Sequence, residues 1–219
     1  MSRRLQAVLW DMDGTLVDTE PSWIAAEHRL VESYGQRWSD EHAHALIGQP
    51  LLVSAAYIRE HGSVPLSPEQ IVDRLLNEVI EEVGRELSWR PGVRRLLAEI
   101  RQAGLPTAMV TMSYRNLADA VASQLPAGTF DLLVTGDEVS AGKPDPECYL
   151  LAATRLGVEP GDCLAIEDSP AGVAAAEAAG CVVLAVPNQL PIPPATTRTI
   201  MADLSEVTLA DLAVLVERS

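Results

Sequence analysis

Short apolar segments recur along most of this chain, and a stretch with helical spacing separates each from the next. The apolar segments are residues 7–10, 106–111, 132–135, 163–167 and 182–186. They are continuous rather than alternating, which is typical of parallel strands that are buried on both faces. The helical stretches are residues 93–103, 116–124, 146–156 and 170–179. Alternating strands and helices predict an α/β fold with a doubly wound, Rossmann-like parallel sheet.

The region between the first two strands has a different pattern. Residues 19–88 show helical spacing and no convincing strand, with breaks near Gly35, residues 48–50 and residues 62–68. This pattern predicts a small α-helical domain inserted into the sheet domain. We therefore expect a core of residues 1–18 and 89–219, with residues 19–88 as the insert.

The net charge argues against two classes of partner. It is −15 over 219 residues, whereas nucleic acids and anionic membranes are bound through basic patches. No apolar run approaches the roughly 20 residues that span a bilayer, and the N-terminal run is shorter than the roughly 7–15 residues of a signal peptide. The sequence predicts a cytoplasmic protein that binds neither nucleic acid nor membrane.

Polar side chains follow the ends of three predicted strands. Asp11 and Asp13 follow the first strand, Thr111 and Ser113 end the second, and Glu167 and Asp168 end the fourth. Ligands of open parallel sheets bind beyond the carboxyl ends of the strands. We therefore expect these side chains to share one crevice.

One basic residue is unusual. Lys143 is the single lysine among 16 basic residues, and it lies in the loop after the third strand. A lone lysine indicates a site that needs a compact ammonium group rather than a guanidinium group.

Carboxylates from two strands suit Mg²⁺, which prefers hard oxygen ligands and would offset their mutual repulsion. Beside a phosphate ester, one carboxylate could attack phosphorus and a second could transfer protons. This reading requires Asp11 and Asp168 to lie within about 10 Å of each other, because ligand bonds to Mg²⁺ are about 2 Å long.

Four motifs in order carry a family resemblance. They are "DMDGTLVDTE" from Asp11, "VTMS" from Val110, "GKPDPECY" from Gly142 and "IEDSPAGV" from Ile166. Their order and spacing resemble the haloacid dehalogenase-like superfamily, in its phosphatase and β-phosphoglucomutase-like branch with a small helical cap. The resemblance covers nearly the whole chain.

The resemblance implies a role for each matched residue. Asp11 is implied as the nucleophile and Asp13 as the general acid and base. Thr111, Met112 and Lys143 are implied to bind the transferring phosphoryl group.

The resemblance also implies a metal site. Mg²⁺ would be held by the Asp11 carboxylate, the Asp13 backbone carbonyl and Asp168. Glu167 lies nearby as a direct ligand, a hydrogen-bond acceptor or a partner of Lys143. Dehalogenating members lack the second aspartate of the first motif, so Asp13 favours phosphoryl chemistry.

The insert also holds residues that could contact a substrate. Glu20, Trp23 and Gln49 are candidate substrate contacts, although Glu20 could simply begin the first helix and Trp23 could serve packing. "TEPSW" is similar to the sequence of sugar- and polyol-phosphate phosphatases, and no second-phosphate site is evident around Gln49 and Pro50.

These observations predict a Mg²⁺-dependent phosphomonoesterase for a small phosphorylated metabolite, with a sugar phosphate as the candidate substrate. Two alternatives stay open: a hexose-phosphate mutase like β-phosphoglucomutase, and a non-catalytic metabolite sensor on the same fold. We expect a monomer, with a weak homodimer as the alternative.

Overall fold

The computed structural model describes residues 3–219. The chain divides into two compact units, one formed by the segment ending at Asp18 together with Ser88–Ser219, and the other by Thr19–Leu87. Each unit is described by itself below.

The first unit is built on a six-stranded sheet. Its strands are β1 (Ala7–Trp10), β2 (Thr107–Val110), β3 (Leu132–Val134), β4 (Cys163–Glu167), β5 (Val182–Ala185) and β6 (Arg198–Ile200). All neighbours pair in parallel, in the order β3-β2-β1-β4-β5-β6. The predicted doubly wound parallel sheet is confirmed.

Nine α-helices are assigned within residues 3–219. They are α1 (Glu20–Ser33), α2 (Asp40–Leu46), α3 (Leu51–His61), α4 (Pro68–Arg85), α5 (Val93–Ala103), α6 (Arg115–Ala122), α7 (Glu147–Leu156), α8 (Pro170–Ala179) and α9 (Leu209–Glu217). The first four make up the inserted unit and the other five belong to the sheet unit.

One hydrophobic core of the sheet unit lies between the central strands and two helices, α7 and α8. Small buried side chains of β1, β2, β4 and β5 pack against buried residues of α7 and α8. α9 contacts both α5 and β4. Because every residue of β1, β2, β4 and β5 is buried, these strands show the continuous apolar runs that mark them in the sequence.

The helix that follows β4 begins and ends at clear signals. The hydroxyl of Ser169 accepts a hydrogen bond from the backbone N–H of Gly172, and Pro170 occupies the first helical position. Gly180 ends α8 with φ of +88°, a left-handed conformation that glycine adopts without steric cost. These signals start α8 two residues after Asp168, which leaves that carboxylate at the carboxyl end of β4.

The sequence pattern did not predict β6 or α9. β6 has three residues and is partly exposed, so it carries no continuous apolar run. α9 does begin with a capping box, in which Thr208 and Asp211 satisfy each other's backbone N–H groups, a signal present in the sequence.

The inserted unit is entirely helical in its regular structure. α4 contacts both α1 and α3, and α1 also contacts α2. α4 begins with a capping box between Ser67 and Gln70 and buries an apolar stripe along its length. Glu27 of α1 is an unusual core residue, since it is only 6% exposed and its Oε2 accepts a hydrogen bond from Trp38 Nε1 at 3.1 Å.

Within residues 3–219, no helix combines the length and the apolar character needed to cross a membrane.

Candidate active site

The site lies where the strand order of the sheet reverses. β1 pairs with β2 on one side and with β4 on the other. From β1 the chain adds β2 and β3 on one side of the sheet and then β4, β5 and β6 on the other. Asp11 follows β1 directly and Asp168 follows β4 directly. Two carboxylates therefore meet at a topological switch point, where ligands of doubly wound sheets bind.

A tight turn carries the chain from Asp11 past Asp168. The carbonyl oxygen of Met12 accepts hydrogen bonds from the backbone N–H groups of Thr15, Leu16 and Val17. Gly14 has φ of +85°, and a Cβ at this position would lie 2.1 Å from Asp168 Oδ2. Two features of the turn therefore require glycine at position 14: its left-handed backbone and the close approach of the Asp168 carboxylate.

Lys143 connects the carboxylates. Its Nζ donates to Asp11 Oδ1 at 2.7 Å, to Glu167 Oε1 at 2.6 Å and to the Val110 carbonyl oxygen at 3.0 Å. Each of the three N–H bonds of the ammonium group thus has an acceptor in the structure. Arginine could not replace it in this geometry, because a planar guanidinium group is larger and spreads its donors.

The loop that carries Lys143 is attached to the start of α7. Both carboxylate oxygens of Glu147 accept backbone N–H groups, from Ser140 at 3.0 Å and from Ala141 at 2.8 Å. These hydrogen bonds lower the pKa of Glu147. The loop is thereby held by the same helix that packs beside β1, β2 and β3.

Glu167 is completely enclosed. Its side chain is 0% exposed, and its Oε1 accepts the Lys143 ammonium group and also the Tyr149 hydroxyl, at 2.5 Å. A Cβ at Gly172 would lie 2.0–2.1 Å from both of its carboxylate oxygens. The first turn of α8 therefore packs directly against this carboxylate.

Three buried carboxylates offer a site for a cation. Asp11, Glu167 and Asp168 each present an oxygen, and these oxygens lie within 4.8 Å of one another. Asp11 Oδ2 and Glu167 Oε2 are buried and have no hydrogen-bond partner. The charge of one ammonium group leaves the cluster with excess negative charge, which a divalent cation would neutralise. Hard oxygen donors of this kind fit Mg²⁺.

The pKa values reflect the same excess of negative charge. Burial, and then repulsion from Asp11, raise the pKa of Glu167 to about 7 and the pKa of Asp168 to about 9. Burial would lower the pKa of Lys143, but the carboxylates of Asp11 and Glu167 outweigh it and raise that pKa. Without a cation, Glu167 and Asp168 therefore keep their protons to a higher pH than exposed carboxyl groups do.

Asp13 is held by two hydroxyl groups. Its Oδ2 accepts hydrogen bonds from Ser113 Oγ at 2.8 Å and from Thr111 Oγ at 3.1 Å. The Thr111 hydroxyl in turn accepts the backbone N–H of Ser113 at 3.0 Å. The structure thus places Asp13 beside the residues that follow β2.

Met112 belongs to the same group of segments. Its sulfur accepts the backbone N–H of Lys143 at 3.3 Å, and its carbonyl oxygen would lie 2.1 Å from a Cβ at Gly136. The loop after β2 therefore packs tightly against the loop after β3.

The three candidate residues of the inserted unit occupy separate positions. Glu20 is the first residue of α1, Trp23 is a partly buried residue of the same helix, and Gln49 is exposed between α2 and α3. Their part in substrate selection stays a prediction.

The structure adds side-chain partners that the sequence did not assign. Ser113 contacts Asp13, Tyr149 contacts Glu167, and Thr15 Oγ lies 3.4 Å from Asp168 Oδ1. All three lie inside the motifs quoted above, so their proximity to the site could have been suspected. Their individual partners depend on rotamers and on long-range packing that spacing does not reveal.

The comparisons with known proteins identify the family of the chain. A family model for haloacid dehalogenase-like hydrolases matches residues 5–180. The phosphorylated carbohydrates phosphatase of Thermotoga maritima is 35% identical, over 80% of this chain and 82% of its own. Hexitol phosphatase B of Escherichia coli K12 is 32% identical, over 96% of this chain and 97% of its own.

A solved structure shows the same fold along the chain. CbbY from Rhodobacter sphaeroides in complex with xylulose-(1,5)bisphosphate superposes with a TM-score of 0.86, at 27% identity, over 95% of this chain and 99% of its own.

The fold, the carboxylate cluster and these likenesses define a phosphatase, a hydrolase that acts on phosphomonoesters. The chain belongs to the haloacid dehalogenase-like hydrolases, in the branch that holds phosphatases and β-phosphoglucomutase-like enzymes.

Proposed function

We propose that the protein is a Mg²⁺-dependent phosphomonoesterase for a small sugar or polyol phosphate, and that it works through an aspartyl-phosphate on Asp11. The observation that carries the proposal is the state of the Asp11 carboxylate. Lys143 holds its Oδ1 at 2.7 Å, whereas its Oδ2 is buried without a hydrogen-bond partner. A carboxylate oriented in this way has one oxygen free to act.

In the first half-reaction, an oxygen of Asp11 attacks phosphorus and the bond from phosphorus to the ester oxygen breaks. The departing alkoxide takes a proton from the Asp13 carboxyl group and leaves as the alcohol. The hydrogen bonds from Thr111 and Ser113 fix the orientation of Asp13 for this transfer.

In the second half-reaction, Asp13 accepts a proton from water and the resulting hydroxide attacks phosphorus. The bond between phosphorus and the Asp11 oxygen breaks, which releases inorganic phosphate and restores both aspartates. One carboxyl group thus serves as acid and then as base.

Charge neutralisation supports both steps. Asp11 and Asp168 would hold Mg²⁺, with the Asp13 carbonyl and Glu167 as further candidate donors, and the bound cation supplies positive charge toward the phosphoryl oxygens. Lys143, Thr111 and the Met112 backbone are proposed to bind the phosphoryl group. Positioning and electrostatics account for most of the rate in such reactions.

The substrate class rests on the relatives. Two of them are named for phosphorylated carbohydrates and for hexitol phosphates, and the similar structure of CbbY holds a sugar bisphosphate. A sugar or polyol phosphate is therefore the proposed substrate of this chain.

The test is a panel of phosphate esters assayed with Mg²⁺, using wild type and Asp11→Asn. Wild type should release phosphate from sugar phosphates and from an aryl phosphate, and Asp11→Asn should release none while keeping its circular dichroism spectrum. Asp119→Asn, an exposed change on α6, is the matched control and should keep full activity. Turnover by Asp11→Asn would remove Asp11 as the nucleophile.

The same panel separates the two alternatives. Isomerisation of a sugar 1-phosphate in the presence of a trace of sugar bisphosphate, without free phosphate, would indicate a mutase. No turnover of any ester would indicate a non-catalytic sensor. Either result would overturn the proposal.

A further inference from the structure

Tyr149 is a buried side chain with a single hydrogen bond, and that bond leads into the active site. The residue lies in the first turn of α7 and is 0% exposed. Its hydroxyl donates to Glu167 Oε1 at 2.5 Å. A buried hydroxyl group must form a hydrogen bond or it costs free energy. A position that needed only packing could hold phenylalanine, which has no hydroxyl group to satisfy.

The same side chain also contacts Lys143. Lys143 Nζ lies 5.3 Å from the centroid of the Tyr149 ring, a distance at which an ammonium group and an aromatic face attract each other. The hydroxyl of Tyr149 and its ring thus meet both members of the Lys143–Glu167 pair.

Glu167 Oε1 therefore receives two donors, the Tyr149 hydroxyl and the Lys143 ammonium group, and Oε2 receives none. Gly172 lies against the same carboxylate, since a Cβ there would overlap both oxygens. With Oε1 fixed by Tyr149, the ammonium group of Lys143 has a fixed anchor from which it reaches Asp11 Oδ1 at 2.7 Å.

We propose that Tyr149 is a positioning residue of the phosphatase site: its hydroxyl locks Glu167, and through Glu167 it holds Lys143 against Asp11. The activity part of this inference rests on the proposed function, whereas the placement of Lys143 can be measured without turnover. Partners of this kind, one step removed from the reacting groups, typically change activity by about 10- to 100-fold when they are lost.

The composition of the chain makes the placement directly observable. Lys143 is the only lysine in the sequence. Protein made with lysine labelled with ¹⁵N at Nζ therefore gives one side-chain ammonium signal by NMR. A buried ammonium group with three acceptors should give a signal whose protons exchange slowly with water.

The experiment compares this signal in wild type, Tyr149→Phe and Tyr34→Phe. Tyr149→Phe keeps the ring and leaves Glu167 its bond to Lys143, so the fold should persist. We expect its signal to shift and its proton exchange to accelerate at least severalfold. Tyr34→Phe, at the end of α1 in the inserted unit, should match wild type. An unchanged signal in Tyr149→Phe would overturn the inference.

A second arm tests whether Tyr149 acts through Glu167. With an aryl phosphate, Tyr149→Phe should lower kcat by about tenfold and leave KM within about twofold. In a Glu167→Ala background the same change should have almost no further effect, because residues that act as one unit are not additive. A full additional loss in that background would show that Tyr149 acts independently of Glu167 and would overturn the inference.

The two proposals can fail separately. A protein with no phosphatase activity, but with the expected change in the Lys143 signal, would refute the proposed function and retain the positioning role of Tyr149. Activity that depends on Asp11, with no effect of Tyr149→Phe on signal or kcat, would retain the proposed function and refute the positioning role of Tyr149.

Discussion

Lys143 Nζ and Asp11 Oδ1 lie 2.7 Å apart, although 132 positions separate the two residues in the chain. The contact joins the loop after β3 to the end of β1, although β2 lies between these two strands in the sheet. It places the only ammonium side chain of the protein on the carboxylate that we propose as the nucleophile.

Lys143→Met should abolish most of the activity. The change removes the positive charge that faces Asp11 and the phosphoryl group, and losses of this kind lower kcat by about 100- to 1000-fold. Lys143→Arg should restore little, because the guanidinium group does not reproduce three donors from one nitrogen. Steady-state assays with an aryl phosphate measure both, with the exposed Arg101→Met as control. Near-normal kcat in Lys143→Arg would contradict the need for a compact ammonium group.

Gly14→Ala should weaken Mg²⁺ binding, and by more than a glycine-to-alanine change that causes only backbone strain. Its Cβ would meet Asp168 Oδ2 at 2.1 Å and displace that carboxylate. Gly180→Ala is a matched control, because Gly180 has φ of +88° against +85° for Gly14 and no atom within 4 Å of its Cβ position. Backbone strain in each should cost about 1–3 kcal/mol.

Calorimetric titration with Mg²⁺ distinguishes the two variants. Gly14→Ala should bind Mg²⁺ at least about tenfold more weakly than wild type, since partners that orient metal ligands have effects of that size. Gly180→Ala should bind it normally. Equal affinities in both variants would remove Asp168 from the site.

The stabilisation that Mg²⁺ gives should grow with pH. Without a cation, the raised pKa values of Glu167 (about 7) and Asp168 (about 9) mean that the native state keeps protons that the unfolded chain releases. Their contribution to stability is complete at low pH and falls as pH rises through these values. Mg²⁺ replaces the protons, so it should raise Tm more near pH 9 than near pH 6.

Differential scanning calorimetry with and without Mg²⁺ measures this difference. In Asp168→Asn the rise in Tm should be small at every pH. A gain in Tm that is constant or falls with pH would contradict the buried carboxylates as the binding site.

Glu27→Gln should remove a separate pH dependence in the inserted unit. Burial raises the pKa of Glu27 to about 8, against its usual 4.5, and the neighbouring Glu20 adds to this effect. The native state therefore favours the protonated form, and stability falls as pH rises from about 4.5 through about 8. A neutral glutamine still accepts the Trp38 N–H group and has no proton to lose.

Urea unfolding across this pH range compares the two proteins. At the alkaline end Glu27→Gln should be the more stable, by roughly 2–4 kcal/mol, and the difference should vanish in acid. The exposed Glu41→Gln on α2 should follow wild type throughout. Parallel curves for wild type and Glu27→Gln would show that Glu27 is not buried as the structure has it.

The strands and the main helices could be predicted because burial leaves a direct mark on the sequence. β1 and β4 are apolar at nearly every position since both faces are covered, and α8 has a cap, a proline and a glycine at its ends. β6 could not be predicted, because three partly exposed residues have no such pattern.

The carboxylates at strand ends could also be predicted, because topology alone brings the ends of neighbouring strands together. The network around them could not. That Glu167 pairs with both Lys143 and Tyr149, or that Ser113 shares Asp13 with Thr111, depends on rotamers within a packed interior. Gly14 and Gly172 leave space for the carboxylates of Asp168 and Glu167. Turn and helix patterns in the sequence do not indicate this close packing.

Chemical trapping of the intermediate tests the aspartyl-phosphate on Asp11 most directly. Wild-type protein is mixed with an aryl phosphate and Mg²⁺, quenched during turnover and reduced with borohydride, which converts an acyl phosphate on aspartate to homoserine. Peptide mass spectrometry should find homoserine at position 11, and nowhere in Asp11→Asn. Homoserine at another aspartate, or none in protein that is turning over substrate, would contradict the role of Asp11.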